Sequence, residues 1–186
     1  MTQAADPMQR ALEYMRHQGA KGLDDLIALM DRTAAEWSRP LEGMTEAQAA
    51  FQPEGEWSAK QVLGHLIGAN RGINQQIAEM AGAESPRPSP KTRAMGETSE
   101  ELEQLSVEAL RGVIREVFDE TKTLISSVAG SDKLDQKFPH PLFGPLNLKE
   151  WFAFHRVHAM DHVQQIDKIL ADPGYPPGGA SVGSSA

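Results

Sequence analysis

The chain has 186 residues, 40% of them hydrophobic and 24% charged, which suits one soluble globular domain and excludes a wholly disordered chain. With 26 acidic against 18 basic residues the formal net charge is −8, a field that repels phosphate backbones and anionic headgroups, so neither nucleic acid nor a membrane is expected as a partner. Cysteine is absent, which excludes disulfides, thiolate metal sites and a cysteine nucleophile; any metal must be held by histidine or carboxylate.

The chain contains no apolar run of about 20 residues and does not open with a secretory leader pattern, so a cytoplasmic protein is expected. Between punctuation by proline and glycine the segments read with a helical period. From 7 to 38, Gly19 and Gly22 predict a break. After it Leu23, Leu26, Ile27, Met30, Ala34 and Trp37 form one core-facing stripe, which Pro40 ends. Thr45 with Gln48 has capping-box spacing and predicts a short turn, followed by a loop over 51–56.

Ser58 with Gln61 is a second capping box and predicts a helix from Ala59. Its apolar residues Val62, Leu66, Ala69, Ile73, Ile77 and Met80 define one face, and His65 lies on that face. The stretch 81–97, with three prolines, reads as a surface loop. Thr98 with Glu101 predicts the start of a long amphipathic helix through Leu102, Leu105, Ala109, Val113, Val117, Leu124 and Val128 to Gly130. The interval 131–146, rich in proline, is expected to be irregular, and no strand is predicted anywhere.

Asn147 with Glu150 then caps a last helix over 148–171, where Trp151, His155, His158, His162, Gln165 and Ile169 form one seam. The expected fold is all-α: an antiparallel four-helix bundle over residues 1–171, with a short extra N-terminal helical segment and a disordered Gly/Pro/Ser tail over 172–186.

Four of the histidines lie on two inward seams. His158 and His162 stand one helical turn apart, about 6 Å along the axis, close enough to share one ion; a third inward histidine, His65, comes from another helix that bundle geometry can bring face to face with theirs. Neutral imidazoles suit Zn, Ni or Fe(II), and three protein ligands leave a coordination position open for chemistry. His155 is read as an outer donor, a substrate contact or a packed core residue. Glu150, Asp161 and Gln165 are within reach as outer partners; Gln165 is on the seam and Asp161 about 100° off it. His17 and His140 are read as solvent-facing. Met8, Met15, Met30, Met80 and Met160 are read as core fill, and Trp57, Trp151, Phe152 and Phe154 as aromatic anchors.

Two elements carry a family resemblance. The run from Trp57-Ser58 to His65 resembles the opening of the second helix in the DinB-like, YfiT-like group of four-helix proteins, and His158 to Ile166 is similar to its HxxxHxxQI element; residues 142–151 resemble the loop that precedes it. The resemblance implies a bundle with His65, His158 and His162 around a divalent ion, often as a homodimer. Members include hydrolase-like proteins and transferases that use low-molecular-weight thiols. The expected function is therefore metal-dependent activation of such a thiol (S-transferase, detoxification) or of water (hydrolase) toward a small-molecule substrate. The alternative is a non-catalytic, metal-binding, dimerising bundle of the stress response.

Overall fold

The computed structural model describes residues 6–87 and 100–178. α1 (Pro7–Gly19) starts where the Asp6 carboxylate accepts from the Met8 N–H and proline takes the first helical position. It stops at Gly19, and α2 (Leu23–Ser38) begins after Gly22, at the predicted break. Gly19 does more than weaken a helix: a Cβ there would lie 2.8 Å from Glu150 Cγ and 3.1 Å from its backbone nitrogen. α1 closes on the last helix through that missing side chain. Gly19→Ala should therefore lower stability by about 1–3 kcal/mol through overpacking, although alanine is the better helix former. Denaturant unfolding checks this, and an unchanged or raised midpoint would show that α1 yields without cost.

Three capping boxes form as read. Thr45 with Gln48 opens α3 (Glu46–Ala50), Ser58 with Gln61 opens α4 (Ala59–Ala81), and Asn147 with Glu150 opens α7 (Leu148–Leu170). Between α2 and α3, Pro40 lies in a 3₁₀ turn over Arg39–Leu41. α4 ends at Gly82, whose φ of +72° is the left-handed conformation that glycine adopts at least cost.

The third long helix starts later than its sequence pattern predicts. α5 (Glu100–Glu103) is a single turn, and α6 (Val107–Ser127) begins anew with the Ser106 hydroxyl accepting from the Ala109 N–H. Leu102 and Leu105 thus precede the long helix, although both pack on the core. Thr98 lies outside the described residues.

A second correction concerns 131–147. β1 (Lys137–His140) and β2 (Gly144–Asn147) pair antiparallel, Phe138 opposite Leu146 and Pro139 opposite Pro145. Proline lacks a donor, and setting the two prolines opposite each other confines both to one rung that needs no N–H. Four-residue strands are too short for alternation to reveal.

α2, α6, α4 and α7 form the bundle in that order around the ring, and α1 lies against α7 outside it. Helices consecutive in the chain, α2 with α4 and α6 with α7, sit across the diagonals. α4 and α7 are therefore neighbours. The core between the helices includes Met15, Leu26, Met30, Leu66, Phe118 and Phe152, all buried. Trp37 on α2 is fully buried and donates its indole N–H to the Ala159 carbonyl at 3.0 Å, tying α2 to the middle of α7. Arg156, on the same helix, donates from one guanidinium nitrogen, Nη2, to both carboxylate oxygens of Glu36 at 3.0 and 2.9 Å.

Two smaller expectations are revised. Met8, on the first turn of α1, is 42% exposed, so it is not core fill. Part of the expected tail also makes contacts: Tyr175 meets Phe51 edge-to-face at 5.7 Å, and Gln48 donates to the Pro176 carbonyl at 3.0 Å. Residues 179–186 lie outside the described set. Among the described residues no helix is long and apolar enough to cross a membrane.

Candidate metal centre

Ser58 starts α4 two turns before His65, and Asn147 starts α7 three turns before His158, so each cap sets the rotation of its histidine about the helix axis. Because α4 and α7 are ring neighbours, the two faces meet. His65, His158 and His162 converge, each half-buried, with one ligand nitrogen apiece inside a 4.8 Å span. The Nε2 atoms of His158 and His162 are 3.1 Å apart, and the His65 ring centroid lies 4.8 Å from that of His162 and 5.5 Å from that of His158. The three residues expected to meet do meet, and among the described residues they form the cluster of metal-capable side chains.

The donor set fits a divalent ion. Two nitrogens bound tetrahedrally at about 2.0–2.1 Å would lie about 3.3 Å apart, near the His158–His162 separation. Gln165 holds His162 Nδ1 at 2.9 Å through its amide oxygen. That oxygen only accepts, so Nδ1 carries the ring proton and Nε2 presents its lone pair to the cluster. Of the three outer partners weighed, Gln165 alone reaches the site. Glu150 is occupied in its cap, its carboxylate accepting from the Asn147 N–H at 2.8 Å, and Asp161 is exposed.

Burial holds His158 neutral, pushing its pKa down to about 3, with His162, His65 and His155 acting in the same direction. A ligand must be unprotonated to bind, so desolvation favours the binding form. Aromatic rings wall the cluster: Trp57 lies 5.2 Å from His65 and Phe154 stacks on His158 at 5.8 Å. Beside Gln165 a surface groove of about 470 Å³ opens between α7 and the loop at Pro53 and Glu56, edged by Asp161 and Lys168.

His17 is exposed as expected, but His140 is not: it is buried among Phe143, Trp151 and Phe154, with centroids 5.1, 4.6 and 4.5 Å away. Its Nδ1 accepts from the backbone N–H groups of Leu142 and Phe143, which closes the hairpin turn. Two flanking prolines suggested an open loop, yet they direct a short hairpin whose aromatic side folds onto α7. His155 is fully buried and lies outside the triad, its Nδ1 3.0 Å from the Asn70 oxygen. Asn70 was not singled out from the sequence. Its signal was legible, since an amide four residues after Leu66 interrupts the apolar face of α4.

Comparison with known proteins agrees with this architecture. The family model for the DinB superfamily matches residues 29–166. Among solved structures, YfiT from Bacillus subtilis, described as a probable metal-dependent hydrolase with an unusual four-helix bundle topology, superposes with a TM-score of 0.63 at 15% identity, covering 95% of this chain and 94% of that one. No curated protein matches. The match spans most of the bundle, from α2 into the last turns of α7, and the chain is a member of the DinB superfamily.

Proposed function

We propose that His65, His158 and His162 hold one divalent ion, Zn, Ni or Fe(II), and that the protein is a metal-dependent enzyme activating a small nucleophile against a small-molecule substrate. The observation that carries this reading is the convergence of three imidazole nitrogens within 4.8 Å at a half-buried site. When bound, such an ion supplies Lewis acidity that lowers the pKa of a thiol or water toward neutrality. The chain's own residues orient and support: Gln165 fixes the His162 ring, and Trp57 and Phe154 pack against the His65 and His158 rings.

The nucleophile is either a low-molecular-weight thiol or water. A chain without cysteine must take a thiol from a cosubstrate, which favours S-transfer in detoxification, whereas the description of YfiT as a probable hydrolase favours water. Chloride release from a chlorinated aromatic is expected from the Zn²⁺-loaded protein with a panel of small thiols; ester hydrolysis without thiol would assign water instead. With neither activity, the reading becomes a non-catalytic metal-binding bundle of the stress response. A cytoplasmic homodimer belongs to the same proposal, and light scattering of the purified protein checks the dimer; the net charge of −8 supports the absence of nucleic-acid and anionic-membrane partners.

A further inference from the structure

α4 and α7, the two helices that carry the triad, are tied at one end by a segment outside both. α7 ends at Leu170, and Asp172 turns the chain back: its Oδ1 accepts from the Gly174 N–H at 2.7 Å and its carbonyl from the Tyr175 N–H at 2.9 Å. Tyr175 then meets the Phe51 ring edge-to-face at 5.7 Å, and the Pro176 carbonyl accepts from the Gln48 side chain at 3.0 Å. A Cβ on Gly174 would stand 3.4 Å from Phe51 Cζ. Gly174, Tyr175 and Pro176 thus rest on α3 and on the residue that ends it. From Phe51 the grip passes to the metal centre through a short loop closed on itself. Gln52 donates its side-chain amide to the Glu56 carbonyl at 2.9 Å, and the Glu56 N–H donates to the Pro53 carbonyl at 3.1 Å. The next residue, Trp57, lies 5.2 Å from His65. His65 is seven residues on from Ser58 and His162 nine before Ala171, about 10 and 14 Å of helix. The Ser58 cap sets the rotation of α4 but not its distance from α7, and the groove at Pro53 and Glu56 leaves the loop unpacked against α7 there. The turn, whose Asp172 lines the same groove, carries the chain across that gap.

We propose that the turn at 172–176 is a clamp for the metal centre, with Tyr175 its positioning residue: seated on Phe51, Tyr175 holds the 52–56 loop and Trp57 against His65, and so keeps α4 at the separation from α7 that lets three imidazoles share one ion. The inference rests on the triad reading above. It gives a task to a segment whose composition alone reads as a tail, because a single aromatic ring and one carbonyl suffice to dock it.

The test is Zn²⁺ affinity at neutral pH, measured by competition with a chromogenic chelator on the whole chain carrying Tyr175→Ala or Tyr175→Phe. Tyr175→Ala removes the ring and should weaken Zn²⁺ binding about 3–10-fold, the range that losing one aromatic pair can transmit. Tyr175→Phe keeps the edge-to-face contact and should bind within about twofold of wild type. Unchanged affinity in Tyr175→Ala, with the unfolding midpoint lowered equally with and without Zn²⁺, makes the turn a prop for the fold alone and overturns the proposal. An equal loss in both variants overturns it too, because the hydroxyl and not the ring would then carry the effect. Without metal, Tyr175→Ala should speed hydrogen exchange at the Glu56 amide. Zn²⁺ binding with no such acceleration ends the clamp and leaves the triad, whereas a wild type that binds no Zn²⁺ ends the triad reading and this inference together. Coupling is reciprocal, so Zn²⁺ should slow exchange at the wild-type Gly174 and Tyr175 amides. Should Tyr175→Ala fail to fold, that measurement decides: equal rates with and without Zn²⁺ end the proposal.

Discussion

In His158→Ala and in His65→Ala, Zn²⁺ binding at neutral pH should fall by more than the roughly 10–100-fold that losing an outer hydrogen bond costs, with far-UV circular dichroism unchanged. Each substitution leaves two imidazoles, and two neutral ligands do not close a site that would otherwise have three protein donors. The helices should survive because neither ring is a core anchor: both are half-buried at the edge of the α4–α7 contact, while Leu66 and Phe152 nearby carry the packing. His17→Ala is the control, since that residue is exposed on α1. Metal content by elemental analysis alongside the chelator titration reads the result. Equal stoichiometry in wild type and both variants would sink the site, whereas loss in one variant alone would redraw the ligand set.

The second large effect is acid destabilisation of the metal-free protein. Burial pushes His155 and His158 down to about 3 and His140 down to about 4, whereas an unfolded histidine titrates near its ordinary 6.5. Between pH 6.5 and about 4 the unfolded chain therefore binds protons that the folded chain refuses. Stability then falls as pH falls, by about 1.4 kcal/mol per pH unit for each such histidine and on the order of 4 kcal/mol per unit for the three together. The stability is fully present above 6.5. Urea unfolding between pH 6 and 5 isolates this contribution, because most carboxylates titrate lower. His140→Gln should remove about one third of that slope, whatever it does to stability at pH 7. A flat profile between pH 6 and 5 would mean that these rings titrate in the fold as they do in water.

Local signals in this chain were strong because they depend on neighbours in sequence. A hydroxyl or amide oxygen at a cap reaches the N–H three residues on whatever else the protein does, so the starts of α3, α4 and α7 were legible. The third long helix failed the same reading because two caps compete there. Ser106, without a partner glutamate or glutamine three residues on, begins the long helix, although the sequence pattern at Thr98 is the more complete.

The candidate site divides along the same line. Helical spacing alone aligned His158, His162 and Gln165, since residues three and four apart share a face of α7. That His65 stands across from them is a fact about the ring order α2, α6, α4, α7, which no cap or period encodes, because helix neighbours are chosen by how four apolar faces fill one interior. The same long-range packing buried His140 beneath a hairpin, paired His155 with Asn70 across 85 residues, and brought Gly19 against Glu150. The sequence by itself determined which faces turn inward and what chemistry they carry. Only the tertiary structure decided which faces meet, because that choice is set by close packing and by partners for buried polar groups, both of which act through space rather than along the chain.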